Sequence, residues 1–498
     1  MGLKSLLSKP YAAFLKSKVN KWSANAIEHQ NKWLLQLVQT ASSTAFGKDH
    51  DFGAIQNYDH FKQRVPIRDY EELKTYTDRM VKGEHDVFWP GKPIYLCKTS
   101  GTTSGAKYIP ITKDSVGFHI DAAKYALLSY IDGTGKSSFV DGKMIFLQGS
   151  PVLDESGAVP TGRLSGIVAH YVPNYLQRNR MPSWETNCIE DWETKLEKVI
   201  DETIDQDMRL ISGIPSWVQM YFERILERTG KSSIKEVFPN FSLFVYGGVN
   251  FEPYRPIFNK LIGKTIDSVE TYPASEGFIA YQDQQNEPGL LLNVNAGIFF
   301  EFIPTEEYFN SKPTRLSLAE VELNKNYALI LSTNAGLWGY SIGDTVKFVS
   351  KNPYRILVTG RIKHFTSAFG EHVIGEEVEK TIQQVLELFD ADIREFHLAP
   401  QVNPEKGLPY HEWFIEFGKA PHNMDAFTMR MDLIMQGLNP YYKDLIEGNI
   451  LRPLVLNSIQ KDGFKHMMKS RGKLGGQNKI PRLSNDRKIA DELSNWKI

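Results

Sequence analysis

Two cysteines in 498 residues, Cys97 and Cys188, leave neither a disulfide framework nor a cysteine-built zinc centre to hold this chain together, and a reducing, cytoplasmic setting is expected. No apolar run approaches the roughly 18 residues that a membrane span needs. From Met1 to Lys21 lysines interrupt the apolar stretches, so the unbroken core of a signal peptide is missing. An N-myristoylation pattern fails as well, because Leu6 stands where Ser or Thr is required. Charge of one sign is lacking: 58 Lys and Arg against 59 Asp and Glu leave a formal net charge of −1, which gives no reason to expect nucleic acid or an acidic membrane as partner. Internal repeats and long low-complexity stretches are absent, and His411-Glu412 has no second histidine four residues after the first, which removes the common zinc-protease helix. What remains is an ordinary globular composition, 41% hydrophobic and 23% charged, in a chain long enough for two or three domains.

Against that background one stretch stands out. Thr99-Ser100-Gly101-Thr102-Thr103-Ser104-Gly105-Ala106-Lys107 packs hydroxyls, two glycines and a lysine into nine residues. Glycine lets backbone N–H groups approach an anion closely, and the hydroxyls and Lys107 add donors and charge. Apolar extended segments flank it, Pro93 to Leu96 before and Tyr108 to Ile111 after, which predicts a turn between two strands. A Walker loop opens a helix instead, so this is not one. The same composition also suits an ordinary linker.

Residues 1 to about 85 read as packing helices, with Trp33, Leu34, Leu37 and Val38 on one stripe. A helix is expected over 115–130, then strands at Met144 to Leu147, Met208 to Ile211, Leu243 to Tyr246 and Thr265 to Val269, with a helix from Pro215 ended by Gly230. Alternation of this kind predicts layered α/β structure whose ligands collect at the carboxyl ends of parallel strands. After 285 the texture turns to β, with strands expected at Leu290 to Val294, Ile298 to Ile303, Ala319 to Leu323, Ala328 to Ser332 and Thr345 to Val349, in a small antiparallel subdomain or barrel. A helix over Glu376 to Phe389 and strands near 393–399 and 411–417 follow. The expected division is 1–358 and a smaller α+β domain, 359–498.

Two carboxylates close turn-like motifs. Glu276 ends Tyr272-Pro273-Ala274-Ser275-Glu276, where it could hold Mg²⁺ against phosphates while Tyr272 lies on a purine; Asp344 ends Tyr340-Ser341-Ile342-Gly343-Asp344, where it could accept from ribose hydroxyls. Each is equally readable alone as a turn residue. Their order is more specific. The twelve positions from Leu96 to Lys107 match the phosphate loop of adenylate-forming enzymes, and Tyr-x-x-Ser-Glu, Tyr-x-x-Gly-Asp and Gly360-Arg361-Ile362-Lys363 follow in that superfamily's order. Within it the chain resembles the auxin-responsive promoter family of acyl acid amido synthetases over nearly its whole length, including Val65 to Glu72 and Gly475 to Arg482, and it looks like a bacterial member.

The resemblance implies that ATP and a small carboxylic acid give an acyl-adenylate, from which an amino acid amine displaces AMP. It places Thr99, Ser100, Gly101, Thr102, Thr103, Ser104 and Lys107 on phosphates, Gly248, Tyr272 and Ser275 at the nucleotide, Glu276 on Mg²⁺, Asp344 on the ribose, Arg361 and Lys363 at a hinge, and makes Lys479 the catalytic lysine of a mobile C-terminal domain. Ser341 departs from the pattern, which has an Arg there, and His372 lies near a family lysine. The tail from Lys461 to Lys488, with nine Lys and Arg against two Asp, reads either as a solvated surface or as a segment that closes over polyphosphate. The acyl pocket is expected among Ile167, Val168, His170, Tyr171, Trp217, Tyr246 and Val249, residues that equally suit a core or, for His170, a structural role. An acyl-CoA ligase and a non-catalytic nucleotide-binding protein are the alternative readings. The sequence leaves oligomeric state open.

Overall fold

The computed structural model describes the chain except residues 1, 103–104, 172–177, 249–250, 363–364, 367–372, 448–449 and 473–479, and describes backbone alone at 100–102, 105–106, 216, 253, 365–366 and 440–441. Its contacts divide the chain into two compact units, Met1–Gly248 with Thr265–Leu357, and Val249–Lys264 with Val358–Ile498. The segment 249–264 thus groups with the second unit, whereas a linear cut at 359 leaves it in the first.

The first unit opens with the hairpin β1 (Tyr95–Thr102) and β2 (Gly105–Ile111), joined by the short β4 (Thr161–Gly162). Its main sheet has a parallel half of β3 (Lys143–Phe146), β5 (Arg180–Met181), β6 (Met208–Ser212), β7 (Leu243–Gly247) and β8 (Asp267–Ala274), in spatial order β8-β7-β6-β3-β5. The antiparallel half is β9 (Gly277–Tyr281), β10 (Leu290–Leu292), β11 (Ile298–Pro304), β12 (Asn326–Thr333), β13 (Tyr340–Lys351) and β14 (Tyr354–Arg361). The β-rich stretch after 285 therefore continues the main sheet to eleven strands and closes no separate barrel. Burial follows: β11 and nearly all of β12 are buried along their length, as expected of strands covered on both faces. Ala319 to Leu323 is not a strand. Val321 is buried, but Leu323 is 46% exposed and makes one isolated bridge to Phe348.

Covering helices are pinned by polar side chains as well as apolar stripes. In the helix Ala26–Ala41, buried Gln30 donates to the carbonyls of Val294 (3.0 Å) and Ile298 (2.8 Å) and accepts from Phe300 N–H (2.8 Å), so its whole amide is used where no water reaches. Fully buried Glu301 on β11 holds Tyr58 (3.0 Å) and Arg315 (2.7 Å).

The helix Lys113–Thr134 starts at a capping box, Thr112 with Ser115, and stops at Gly135 with φ 69°. It buries His119, whose Nδ1 has no partner among the described residues, and burial pushes that imidazole down to about 4. The unfolded chain, with histidine near 6.5, binds the extra proton between pH 6.5 and 4, so stability falls as the pH is lowered through that window. At pH 5 the loss is about 2 kcal/mol from this group. A His119→Gln variant should lose this slope in urea melts run from pH 7 to 5; an unchanged slope would refute the assignment.

In the second unit β17 (Asp392–Gln401) pairs antiparallel with β18 (Tyr410–Lys419), which pairs parallel with β19 (Val455–Ile459); a two-stranded ladder, β15 (Phe365–Thr366) and β16 (Val373–Ile374), precedes them. The helices Gly375–Leu388 and Met424–Leu438 bury Val378, Ile382, Val385, Phe427 and Met431 with Phe396 and Trp413 of that sheet, an α+β layer. Among the described residues no helix is long and apolar enough to cross a membrane.

Candidate active site

The Ser/Thr/Gly stretch is the turn of an antiparallel hairpin: Thr99 pairs with Lys107 and Thr102 with Gly105, around residues 103–104. Lys107 leaves β2 with its Nζ 5.6 Å from the centre of the Tyr70 ring, and Tyr70 Oη accepts from Tyr108 N–H at 2.9 Å. Tyr70 belongs to the Val65 to Glu72 segment, so that segment positions the lysine of the loop.

Glu276 lies in a second hairpin turn. Ala274 on β8 pairs with Gly277 on β9, leaving Ser275 and Glu276 as the two turn residues at the carboxyl end of a parallel strand. Ser275 Oγ is 3.0 Å from Cys97 Sγ of β1, which ties the two hairpins together. Burial pushes the Cys97 thiol up to about 12, and the Glu276 carboxylate adds to this, so Cys97 is a neutral packing group and not a nucleophile.

Asp344 sits inside β13, not after a free turn. Ser341 faces Ile330 while Thr345 faces Ala328, so two extra residues bulge from the strand, and Gly343 takes the positive φ (85°) that the bulge requires. The bulge re-aims Asp344 so that its Oδ2 accepts from Tyr272 Oη at 2.5 Å, both residues being 7% exposed. Three motifs separated by up to about 245 positions therefore meet at one edge: Cys97 beside Ser275, and Tyr272 on Asp344. Nearby, Gly248 follows β7 with φ 80°, and a Cβ on Gly247 would meet the Thr271 carbonyl oxygen at 2.4 Å, so the strand end admits glycine alone.

Residues 15–177 and 152–266 match the GH3 family N-terminal domain, 291–361 the GH3 family central domain and 376–488 the GH3 family C-terminal domain. The chain belongs to the GH3 family. It is similar to a jasmonoyl--L-amino acid synthetase, JAR4, of Nicotiana attenuata, 23% identical over 58% of this chain and 60% of that protein, and to another, GH3.5, of Oryza sativa subsp. japonica, 21% identical over 93% of each. Its fold is similar to that of the AtGH3.15 acyl acid amido synthetase in complex with 2,4-DB, with a TM-score of 0.81 at 16% identity over 97% of this chain and 95% of that one. It is also similar to a 2-hydroxyisobutyryl-CoA ligase in the postadenylation state in complex with R3-HIB-AMP, with a TM-score of 0.60 at 13% identity over 93% and 90%. A GH3 protein here thus has the fold of adenylate-forming enzymes.

The other residues expected at the site have the following surroundings in this GH3 chain. Trp217 is a core residue, 5% exposed and packed on Trp192 with ring centres 4.5 Å apart. His170 is exposed, its Nε2 3.0 Å from the Pro151 carbonyl and its ring against Trp184. Tyr171 reaches the hydroxyl of Tyr95 on β1 at 3.5 Å, so it stays beside the phosphate hairpin. Arg361 is exposed at the end of β14. Ser341, where the family pattern has Arg, is buried against Tyr308 Oη at 2.7 Å. Gly339 to Gly343 has the Gly-x-Ser-x-Gly spacing of a hydrolase elbow, but Ser341 lies within a strand and not at a strand-to-helix turn, which removes a hydrolase reading. Thr103, Ser104, Val249, Lys363, His372 and Lys479 lie outside the described residues, as do the side chains of Ser100 and Thr102. Cys97 and Tyr70 fall within matched segments, but the role of each is marked by its place beside Ser275 and Lys107.

Proposed function

We propose that the protein is an ATP-dependent acyl acid amido synthetase. A carboxylate oxygen attacks the α-phosphorus of ATP and pyrophosphate leaves; the amine nitrogen of an amino acid then attacks the acyl carbon, loses a proton, and AMP leaves. The observation that carries this reading is the Tyr272–Asp344 hydrogen bond beside the Cys97–Ser275 contact, because it gathers the motifs of the nucleotide site at the carboxyl edge of the parallel strands.

In this reading the backbone N–H groups and hydroxyls of Thr99, Ser100, Gly101, Thr102, Thr103 and Ser104, with Lys107, hold the phosphates. Gly248 and Ser275 border the nucleotide, the Tyr272 ring lies against adenine, and Asp344 accepts from the ribose. Residues 1–358 carry the nucleotide and acyl groups, and 359–498 supply Arg361 at the hinge and Lys479 as the cation for adenylation. His170, Tyr171, Trp217 and Val249 border the acyl group, with Tyr171 reaching the Tyr95 hydroxyl beside the phosphate hairpin. The two unpaired cysteines suit a cytoplasmic setting.

Among the described residues no group of three or more His, Cys, Asp or Glu could hold a metal ion. Mg²⁺ is commonly bound by one or two carboxylates together with substrate phosphates rather than by a protein cage. Glu276, in its two-residue turn, would hold it. Held there, the ion would supply positive charge against the phosphates. Glu276→Ala should raise the Mg²⁺ concentration needed for pyrophosphate release while barely changing the melting temperature. An unchanged Mg²⁺ dependence with a collapsed melting temperature would make Glu276 structural.

The reading as a whole is tested by pyrophosphate release across a panel of carboxylic acids, followed by mass spectrometry of products formed with amino acids or CoA. Amides are expected. Thioesters without any amide would favour the acyl-CoA ligase, and no pyrophosphate with any acid would refute adenylation.

A further inference from the structure

Three basic side chains lie around β3 and the loop that follows it, and none has an acidic ion-pair partner among the described residues. The Lys195 ammonium, in the helix Trp192–Thr203, is 3% exposed and donates to the carbonyls of Gln148 (3.0 Å) and Asn187 (2.6 Å). The Arg163 side chain crosses Gly149, where a Cβ would lie 3.0 Å from its Cδ. Arg180 on β5 stacks its guanidinium 5.5 Å from the centre of the Phe146 ring and, among the described residues, donates to the Ala169 carbonyl alone, at 3.4 Å. Burial lowers the proton affinity of all three, Lys195 to about 8, and the charge of Arg163 presses Lys195 further down. Glu190 acts on Arg163 only from beyond ion-pair distance, and the guanidinium of Arg163 makes no hydrogen bond among the described residues.

Arg163 acts on Lys195 as a like charge, and partly buried cations that lack a counter-ion among the described residues are costly. Packing alone would be met more cheaply by apolar side chains. A second observation points the same way: Gln148 Nε2 and Ser165 Oγ are buried donors with no partner among the described residues, and Ser165 Oγ lies 3.7 Å from the Cβ position of Gly149, beside Arg163. Donors and cations share one place. That place adjoins the nucleotide edge, because the charge of Arg163 is felt at Cys97, whose sulfur contacts Ser275.

We propose that the carboxyl end of β3 is a recognition site for a carboxylate that does not react, held by Arg163 with Ser165 and Gln148 and supported by the field of Arg180 and Lys195. The planar guanidinium fork matches a carboxylate in two hydrogen bonds, whereas the ATP phosphates have their own hairpin. Resting on the amido synthetase reading, the proposal narrows its substrates: the carboxylate belongs either to a dicarboxylic acyl acid or to the amino acid acceptor.

The test is ligand binding by thermal shift and calorimetry on the full chain, with matched probes: isophthalate against benzoate and succinate against butyrate in one arm, glycine against methylamine and alanine against ethylamine in the other. At least one probe bearing the extra carboxylate should bind at least tenfold more tightly than its partner, and Arg163→Met and Arg180→Met should each abolish that ratio. Arg163→Lys should restore part of it. Lys198→Met, which removes an exposed cation of the same helix, should keep it. The arm in which the ratio collapses identifies the source. If no pair is discriminated, or if both arginine variants keep the ratio, the proposal is wrong. Failure of pyrophosphate release with every acid would overturn the amido synthetase reading alone, since these ratios are read from binding.

Discussion

Lys479→Ala is expected to slow adenylation by roughly two to three decades while leaving ATP binding nearly intact. The attacking carboxylate and the α-phosphate are both anions, and the charge between them is most concentrated in the transition state. An ammonium placed there stabilises that state more than the bound ground state, and loss of one such group typically costs about 3 to 4 kcal/mol. In amide formation the charge develops instead on the acyl carbonyl oxygen. The alanine variant, supplied with synthetic acyl-adenylate and an amine, should therefore form product near the parent rate. Rapid-quench measurement of the two half-reactions separates the cases. Equal losses in both would mean that Lys479 serves folding, and no loss in either would remove it from the chemistry.

Asp283→Ala should cost more stability than any surface change. Asp283 follows β9 and is 2% exposed; its two oxygens bind Arg355 of β14 at 2.6 Å and Lys16 of the first helix at 2.7 Å. The Arg355 side chain is 3% exposed. Alanine leaves a buried guanidinium and a mostly buried ammonium without a counter-charge, a situation that typically costs about 3 to 5 kcal/mol. Asp283→Asn keeps a hydrogen-bond acceptor and should cost less. A urea midpoint that falls for alanine, at constant slope, is the signature. A shift worth under about 1 kcal/mol would show that water or rearrangement replaces the carboxylate.

Local signals were read correctly where the neighbouring residues alone decide the conformation. The glycines and hydroxyls from Thr99 to Lys107, flanked by apolar segments, predicted a hairpin turn, and β1 and β2 form one. The helix ended by Gly230 and the helix near Glu376 were legible because period and cap are local. Ala319 to Leu323 has the alternation of a strand yet forms none, because a strand exists only where a neighbour offers an open ladder edge, and there only Leu323 finds a bridge.

By itself the sequence determined the family, the order of the motifs, the α/β rhythm of the main sheet and the chemistry of each motif residue, since all of these are written in residue type and spacing. Tertiary structure alone decided how they meet. The bulge at Gly343 turns Asp344 toward Tyr272, a partner 72 positions away. Trp217 goes to the core because Trp192 supplies the facing ring, and His170 goes to the surface at the end of a short helix. Arg163, Arg180 and Lys195 carry no motif at all; they are brought near β3 and the loop after it by β5 pairing with β3 and by Lys195 reaching the Gln148 carbonyl, and burial and charge are properties of that meeting rather than of any one residue.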